Sequence, residues 1–309
     1  QNKMTSVFKP GNIAVITGAS SGIGRAAAIY CAEQGMNVWM VDIDAEELAL
    51  ALEVVNSRCS DSLQRANSEV TSRVVDVANE EAMKALSVEV FSRTGGVCHF
   101  LMNNAGVGMG GNAFTDMDTV TKVIGINTYG PIHGCLHFVP TMKEMNTESL
   151  VVNTGSKQGI TMPPGNLVYN MSKAALKCYT EGLAHELRET MVKVALLIPG
   201  WVNTSILLKS LKAKAQVDGE EFNVENVFFY EDKPAAGAWM PHQVIEYMVQ
   251  KINQGSFYII CPDNDVDTET DRLRMTWTMQ DITEDRPPLS RWHPDYKDKF
   301  DQFIKSNGK

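Results

Sequence analysis

From residue 11 to residue 200, short apolar runs alternate with longer stretches whose apolar positions recur every three or four residues. The runs at 13–17, 37–41, 72–75, 100–103, 150–154 and 193–198 are mostly continuous Val, Ile, Leu and Met, without the in–out alternation of a half-exposed strand. Such runs predict strands buried on both faces, as in a parallel sheet covered by helices. Helical spacing follows at 22–34, 45–56, 80–93, 119–145 and 169–190, and the strands hand over at Gly, Asn or Asp, the residues tight turns use. The regular βα alternation predicts an α/β, doubly wound parallel sheet.

Beyond Pro199-Gly200 the pattern changes. Residues 203–239 are mixed, with a helix-like stretch at 205–215 and an aromatic cluster at Phe228, Phe229 and Tyr230. A helix is expected over 241–252 and a seventh strand over 256–261. The charged segment 262–309 carries Trp277, Trp292, Tyr296, Phe300 and Phe303, and reads as a helical extension packed on a single domain at 8–261 rather than as a second domain.

Composition narrows the function. With 44% hydrophobic and 21% charged residues, the 309-residue chain is ordinary for a globular protein. Twenty-eight basic against 37 acidic residues give a net charge of −9, which disfavours nucleic acid as a partner. No apolar stretch approaches a membrane span, and residues 1–11 lack the layout of a signal peptide. Six cysteines scattered without C-x-x-C pairing point to reduced thiols and a cytoplasmic location, where the triplets beginning at Asn170 and Asn203 meet no glycosylation machinery.

Three signals carry chemistry. Thr17-Gly18-Ala19-Ser20-Ser21-Gly22-Ile23-Gly24 follows the first strand and opens a helix, so its glycines let backbone approach a pyrophosphate at helix N-terminal amides; a tight helix–sheet turn is the plainer alternative. Asp42 ends the second strand, where a carboxylate can accept from an adenosine ribose and repel a 2′-phosphate; capping the next helix, by Asp42 or Asp44, is its ordinary role. Tyr169 and Lys173 share a helix face, and a fixed ammonium lowers a neighbouring phenol's pKa. Ser156 closes the fifth strand run, at the sheet edge where such folds bind ligands.

Together with Asp76, Asn103-Asn104-Ala105-Gly106, Asn127 and Pro199-Gly200, these motifs resemble, in order and spacing, the short-chain dehydrogenase/reductases over residues 8–261. The resemblance implies a Rossmann-like fold with seven strands, helices on both faces and a substrate loop near 201–240. It implies Tyr169 as general acid/base, Ser156 bonded to the substrate oxygen, Lys173 on the nicotinamide ribose, and Asn127 ordering a relay water. Gly18, Ser20, Ser21, Gly22, Ile23, Gly24, Asp42, Asp76, Val77, Asn104, Ala105, Gly106, Pro199, Gly200, Val202 and Thr204 become cofactor contacts, with Tyr169 and Lys173 touching it as well.

The expected activity is NAD(H)-dependent interconversion of a secondary alcohol, apolar or aromatic, and its ketone. Asp42 favours NAD over NADP. An NADPH-dependent carbonyl reductase is the alternative within the class, and a cofactor-binding sensor or scaffold without turnover is the alternative outside it. The resemblance also implies a homodimer or homotetramer, the dimer formed through the helices of Asn127 and Tyr169 with Ala174, Ala175, Leu176 and Leu183. The 48 residues beyond 261 depart from simpler members.

Other patterns are set aside, and no metal is expected. His133 and His137 have i,i+4 ligand spacing but no third ligand nearby. Asp263, Asp265 and Asp267 imitate a calcium loop, yet Thr268 and Arg274 replace its glycine and glutamate. Ser156 lacks a nucleophile elbow. Met109 and Met162 are candidate pocket residues, while the remaining methionines and the tail aromatics read as packing.

Overall fold

Seven strands form one parallel sheet: β1 (Ile13–Thr17), β2 (Asn37–Asp42), β3 (Val70–Val74), β4 (Phe100–Asn103), β5 (Ser149–Thr154), β6 (Val192–Ile198) and β7 (Tyr258–Ile260). Their order is β3-β2-β1-β4-β5-β6-β7. The computed structural model describes residues 7–108, 111–205 and 236–308. Most of the expected stretch at 205–215, the aromatic cluster at 228–230 and Met109 lie outside them.

Successive side chains of β1 divide the interior. Ala14 and Ile16 face α1 (Gly22–Glu33), α2 (Ala45–Ala66) and α8 (Pro241–Asn253), packing with Ala28, Val55 and Met248. Ile13 and Val15 face the other layer, with Leu86 of α3 (Glu80–Thr94) and Phe138 of α5 (Gly130–Glu144). Strand side chains alternate between faces, and helices cover both, so the runs are continuously apolar.

The helix ends show where residue spacing and actual structure part. α2 continues ten residues past its expected end, because Cys59 and Leu63 extend the buried row of Val55 at four-residue intervals. It stops at Asn67, in the left-handed conformation. The expected long helix at 119–145 is interrupted: α4 (Met117–Ile124) passes through a π turn, Gly125–Tyr129, before α5 begins.

The extension contains α9 (Thr268–Thr283), two short 3-10 turns and α10 (Lys297–Asn307). Leu289 and the turn that follows fold α10 back on α9, where Trp277 meets Phe300 and Phe303 with ring centroids 5.4 and 5.2 Å away. The Arg286 guanidinium lies 3.9 Å over the Trp277 ring, and Trp277 Nε1 donates to Ser290 Oγ at 2.8 Å. The tail aromatics other than Trp292 and Tyr296 thus meet in a small core of their own.

Candidate active site

The sheet order reverses beside β1, whose neighbours are β2 and β4, so loops leaving these strands diverge and open a crevice at the carboxyl edge. The glycine-rich turn lies there. Gly18 and Gly22 have φ of +66° and +53°, and a Cβ on Gly24 would stand 2.1 Å from the Gly18 carbonyl oxygen. A side chain at these positions would strain or block the turn. Ser20 N donates to Asp42 Oδ2 at 3.1 Å, while Asp42 Oδ1 accepts from Ile43 N and Asp44 N. The cap of α2 is Asp44, which accepts from Glu47 N at 3.0 Å, so Asp42 is free of the plainer role its position allowed.

Asp44, Asn79 and Asp267 cap their helices with side-chain oxygens, whereas Ser21 at the start of α1 makes no such bond and α1's first turn has no acidic residue. The positive end of α1 therefore faces the crevice with no side-chain cap of its own, the nearby Asp42 carboxylate being engaged by Ser20 N. Asn104 fixes the surroundings: its Nδ2 donates to the Thr17 and Gly18 carbonyls, its Oδ1 accepts from Thr154 Oγ1, and both Asn104 N and Ala105 N donate to Thr17 Oγ1. One residue pins the ends of β1, β4 and β5 together.

Asn127 lies in the π turn and is fully buried. Its Oδ1 accepts from Val107 N at 2.8 Å, and its Nδ2 donates to Val107 O and to Ser172 Oγ. A Cβ on Gly106 would stand 3.2 Å from Asn127 Oδ1 and 3.6 Å from Lys173 Nζ, so these three groups share one spot. Lys173 belongs to α7 (Leu167–Glu186); it is buried, donates to the Thr154 carbonyl at 2.8 Å, and sits 5.8 Å from the Tyr169 ring centroid.

The electrostatics differ from expectation in sign. Burial raises the Tyr169 pKa, with a hydrogen bond to Ser156 acting the other way, and burial lowers Lys173 to about 8. The ammonium is neighbour to the phenol as the spacing predicts, but it is itself desolvated and held by a backbone carbonyl, so the expected lowering of the phenol is not what this structure gives. Ser156 Oγ also accepts from Gln158 N at 3.2 Å, as the first turn of α6 (Gln158–Thr161) starts.

The post-β6 loop comes back over the glycine-rich turn: a Cβ on Gly22 would stand 2.9 Å from Thr204 Cγ2, and Ser21 Oγ is 2.9 Å from Ser205 Oγ. Val202 pairs with Trp239 in a parallel bridge, which holds this loop against the start of α8. Asp76 and Val77 stand differently. The Asp76 carboxylate is exposed and accepts from Ala78 N within its own turn, and buried Val77 receives the His133 Nδ1 hydrogen bond at 2.9 Å.

A family model for short chain dehydrogenases matches residues 12–215. The chain belongs to that family. This short-chain dehydrogenase is 31% identical over 222 residues to SadH of Mycobacterium tuberculosis, a protein named as an oxidoreductase, covering 71% of this chain and 75% of that one. It is 33% identical over 196 residues to an uncharacterized oxidoreductase of Staphylococcus aureus, covering 63% and 79% respectively. A crystallised short chain dehydrogenase/reductase from Burkholderia phymatum, in complex with NAD, shares 29% identity with a TM-score of 0.75 over 91% of this chain and 97% of that one. A metagenomic short-chain oxidoreductase in complex with NADP shares 29% identity with a TM-score of 0.56, over 63% and 85%.

Three residues of this short-chain dehydrogenase escaped the motif reading: Lys157, Asp263 and Asp271, which form buried ion pairs directly beside Ser156. A lysine next to a motif serine was the available signal. Asp263 stood out only as part of a calcium-like pattern, and in the structure that pattern divides: Asp267 caps α9 and Asp263 turns to Lys157. His133 and His137 likewise bond elsewhere, to Val77 O and toward Glu80.

Proposed function

We propose that this short-chain dehydrogenase is an NAD(H)-dependent oxidoreductase that interconverts a secondary alcohol and its ketone. The observation that carries the reading is the meeting of Ser156, Tyr169, Lys173 and Asn127 at the carboxyl edge of the sheet, beside the uncapped start of α1. The residues present fit a nicotinamide dinucleotide. Gly18, Ser20, Ser21, Gly22, Ile23 and Gly24 would hold its pyrophosphate through backbone amides. Asp42 would take its adenosine ribose, and Asp76, Val77, Asn104, Ala105 and Gly106 the adenine side. Pro199, Gly200, Val202 and Thr204 would flank the nicotinamide. When bound, that ring accepts or gives the hydride.

The chain's own groups handle the proton. Tyr169 takes it from the alcohol during oxidation and gives it to the nascent alkoxide during reduction, while the Ser156 hydroxyl orients the substrate oxygen. Lys173 would hold the nicotinamide ribose and, while charged below about pH 8, favour the phenolate against the burial that opposes it, and Asn127 would order the route by which the proton reaches solvent. An apolar or aromatic substrate fits Trp201 and Met162, partly exposed on the two loops flanking Ser156. The cytoplasmic assignment rests on six unpaired cysteines, five of them buried. A homodimer through α5 and α7 would use exposed Leu136, Met171 and Ala175; Leu176, expected there, is wholly buried within the chain.

The test is absorbance of the reduced nicotinamide, with NAD or NADP and a panel of aliphatic and aryl secondary alcohols. Turnover with NAD is expected. In Asp42→Ala the ratio of kcat/KM for NAD to that for NADP should fall at least about tenfold, because a carboxylate facing a 2′-phosphate is a like-charge pair. An unchanged ratio refutes the role of Asp42. Tight NADH binding with no turnover of any alcohol would favour the sensor reading.

A further inference from the structure

Lys157 follows Ser156 directly, and its Nζ enters a buried cluster contributed by the C-terminal extension. It pairs with Asp263 Oδ2 at 3.1 Å and with Asp271 Oδ2 of α9. The side chains are 14%, 7% and 4% exposed, so the charges are largely out of water. Asp263 reaches a second loop with the same oxygen, which accepts from Trp201 N at 3.1 Å, while its Oδ1 accepts from Asp265 N and Val266 N. The two loops are also tied to each other, Lys157 N donating to Pro199 O at 3.4 Å. Gly200 fits over this junction only without a side chain, since its Cβ would stand 2.4 Å from Asp263 Oδ2 and 2.5 Å from Lys157 Nζ.

Burying ions is an inefficient way to hold a tail. Apolar residues of like volume fix an interface at equal or lower cost, whereas an ion cluster fixes direction. The groups fixed are the backbone on either side of the crevice: Ser156 through Lys157, and Gly200-Trp201 through Asp263. We infer that Lys157, Asp263 and Asp271 are positioning residues, through which the C-terminal extension sets the Ser156 loop and the post-β6 loop relative to one another. This rests on the proposed role of Ser156. The extension is then part of the working enzyme, and its removal would loosen two loops at once.

The experiment uses the full chain with saturating NADH and follows amide hydrogen exchange in peptides covering 155–162 and 199–204. Asp263→Ala and Lys157→Met are expected to speed exchange in both peptides, and Lys157→Arg to restore protection. Arg286→Met, which opens the Trp277 core of the extension away from these loops, is the control for general loosening and should leave both peptides protected. If Asp263→Ala does not fold, Asp263→Asn, which keeps the shape and removes the charge, carries the test. Unchanged exchange in the folded Asp263 and Lys157 variants overturns the inference, as does equal loosening by Arg286→Met.

Kinetics with the alcohol turned over fastest supply the second readout. Below the melting temperature of each variant, kcat should fall about 10–100-fold with little change in KM for Lys157→Met, as expected of small misplacement beside a reacting group, and recover in Lys157→Arg. Wild-type kcat in folded Lys157→Met overturns the inference. Ser156→Ala runs alongside: if it is fully active, the reading of Ser156 fails whatever the ion cluster does. If it is inactive while Lys157→Met and Asp263→Ala are unimpaired, the positioning role alone fails.

Discussion

Tyr169→Phe is expected to lower kcat about 10²–10⁴-fold while leaving NADH affinity and the melting temperature close to wild type. The substitution removes one oxygen and keeps the ring, whose centroid lies 5.8 Å from Lys173 Nζ. The lost hydrogen bond to Ser156 is worth only about 1 kcal/mol of stability, and Ser156 Oγ keeps its bond from Gln158 N. The pH profile makes the prediction sharper. Burial holds the Tyr169 pKa above that of a free phenol, so in the free enzyme the proton is on the oxygen at neutral pH. Reduction needs that proton, and oxidation needs it gone. Between about pH 6 and about pH 8, where Lys173 keeps its charge, kcat/KM for alcohol oxidation should rise with the phenolate fraction, whereas ketone reduction should stay flat. The oxidation profile should lose this dependence in Tyr169→Phe. Steady-state rates in the two directions across this range check it, and a Phe variant as active as wild type would refute Tyr169 as the acid/base.

Much of this arrangement was legible because it is local or periodic. The buried strands announce themselves as continuous apolar runs, and a parallel sheet dictates which ends carry a site, so the glycine-rich turn, Asp42 and Ser156 are read from their positions after strands, and Tyr169 from its four-residue spacing to Lys173. What escaped depends on separation or on environment. Lys157 and Asp263 stand 106 residues apart, and nothing in either neighbourhood names the other. The π turn leaves no periodic mark, so Asn127 was expected inside a regular helix, although its bonds to Val107 and Ser172 depend on that turn. The sign of the Tyr169 shift is hidden from the sequence for a related reason. An i,i+4 spacing makes the ammonium a neighbour, but only the packed structure shows how far both groups have left water. The length of α2 was the reverse case: Cys59 and Leu63 were there to be counted, hidden among polar neighbours.

Lys173→Met should abolish most activity and yet melt no lower than wild type at about pH 7. Lys173 is only 4% exposed, and burial lowers its pKa from 10.5 to about 8. At neutral pH the folded protein therefore holds a charged ammonium where charge is disfavoured, at a cost of about 3 kcal/mol by linkage. Methionine fills similar space without that cost. Against this, the Thr154 carbonyl loses the donor it has at 2.8 Å, which costs about 1–3 kcal/mol. The balance leaves the variant equal to wild type or up to about 2 kcal/mol more stable, a rise of a few degrees for a chain of this size. The sign follows from proton counting. Between about pH 8 and about pH 10.5 the unfolded chain keeps the Lys173 proton that the folded chain has released, so wild-type stability gains with pH across that window. The difference between variant and wild type should thus be largest below about pH 8 and shrink, or reverse, towards about pH 10. Thermal melts of both proteins at a series of pH values decide it. A variant equally destabilised at both ends would mean that Lys173 is not held at an electrostatic cost, and that its place beside Tyr169 is a matter of packing rather than of charge kept ready for the phenolate.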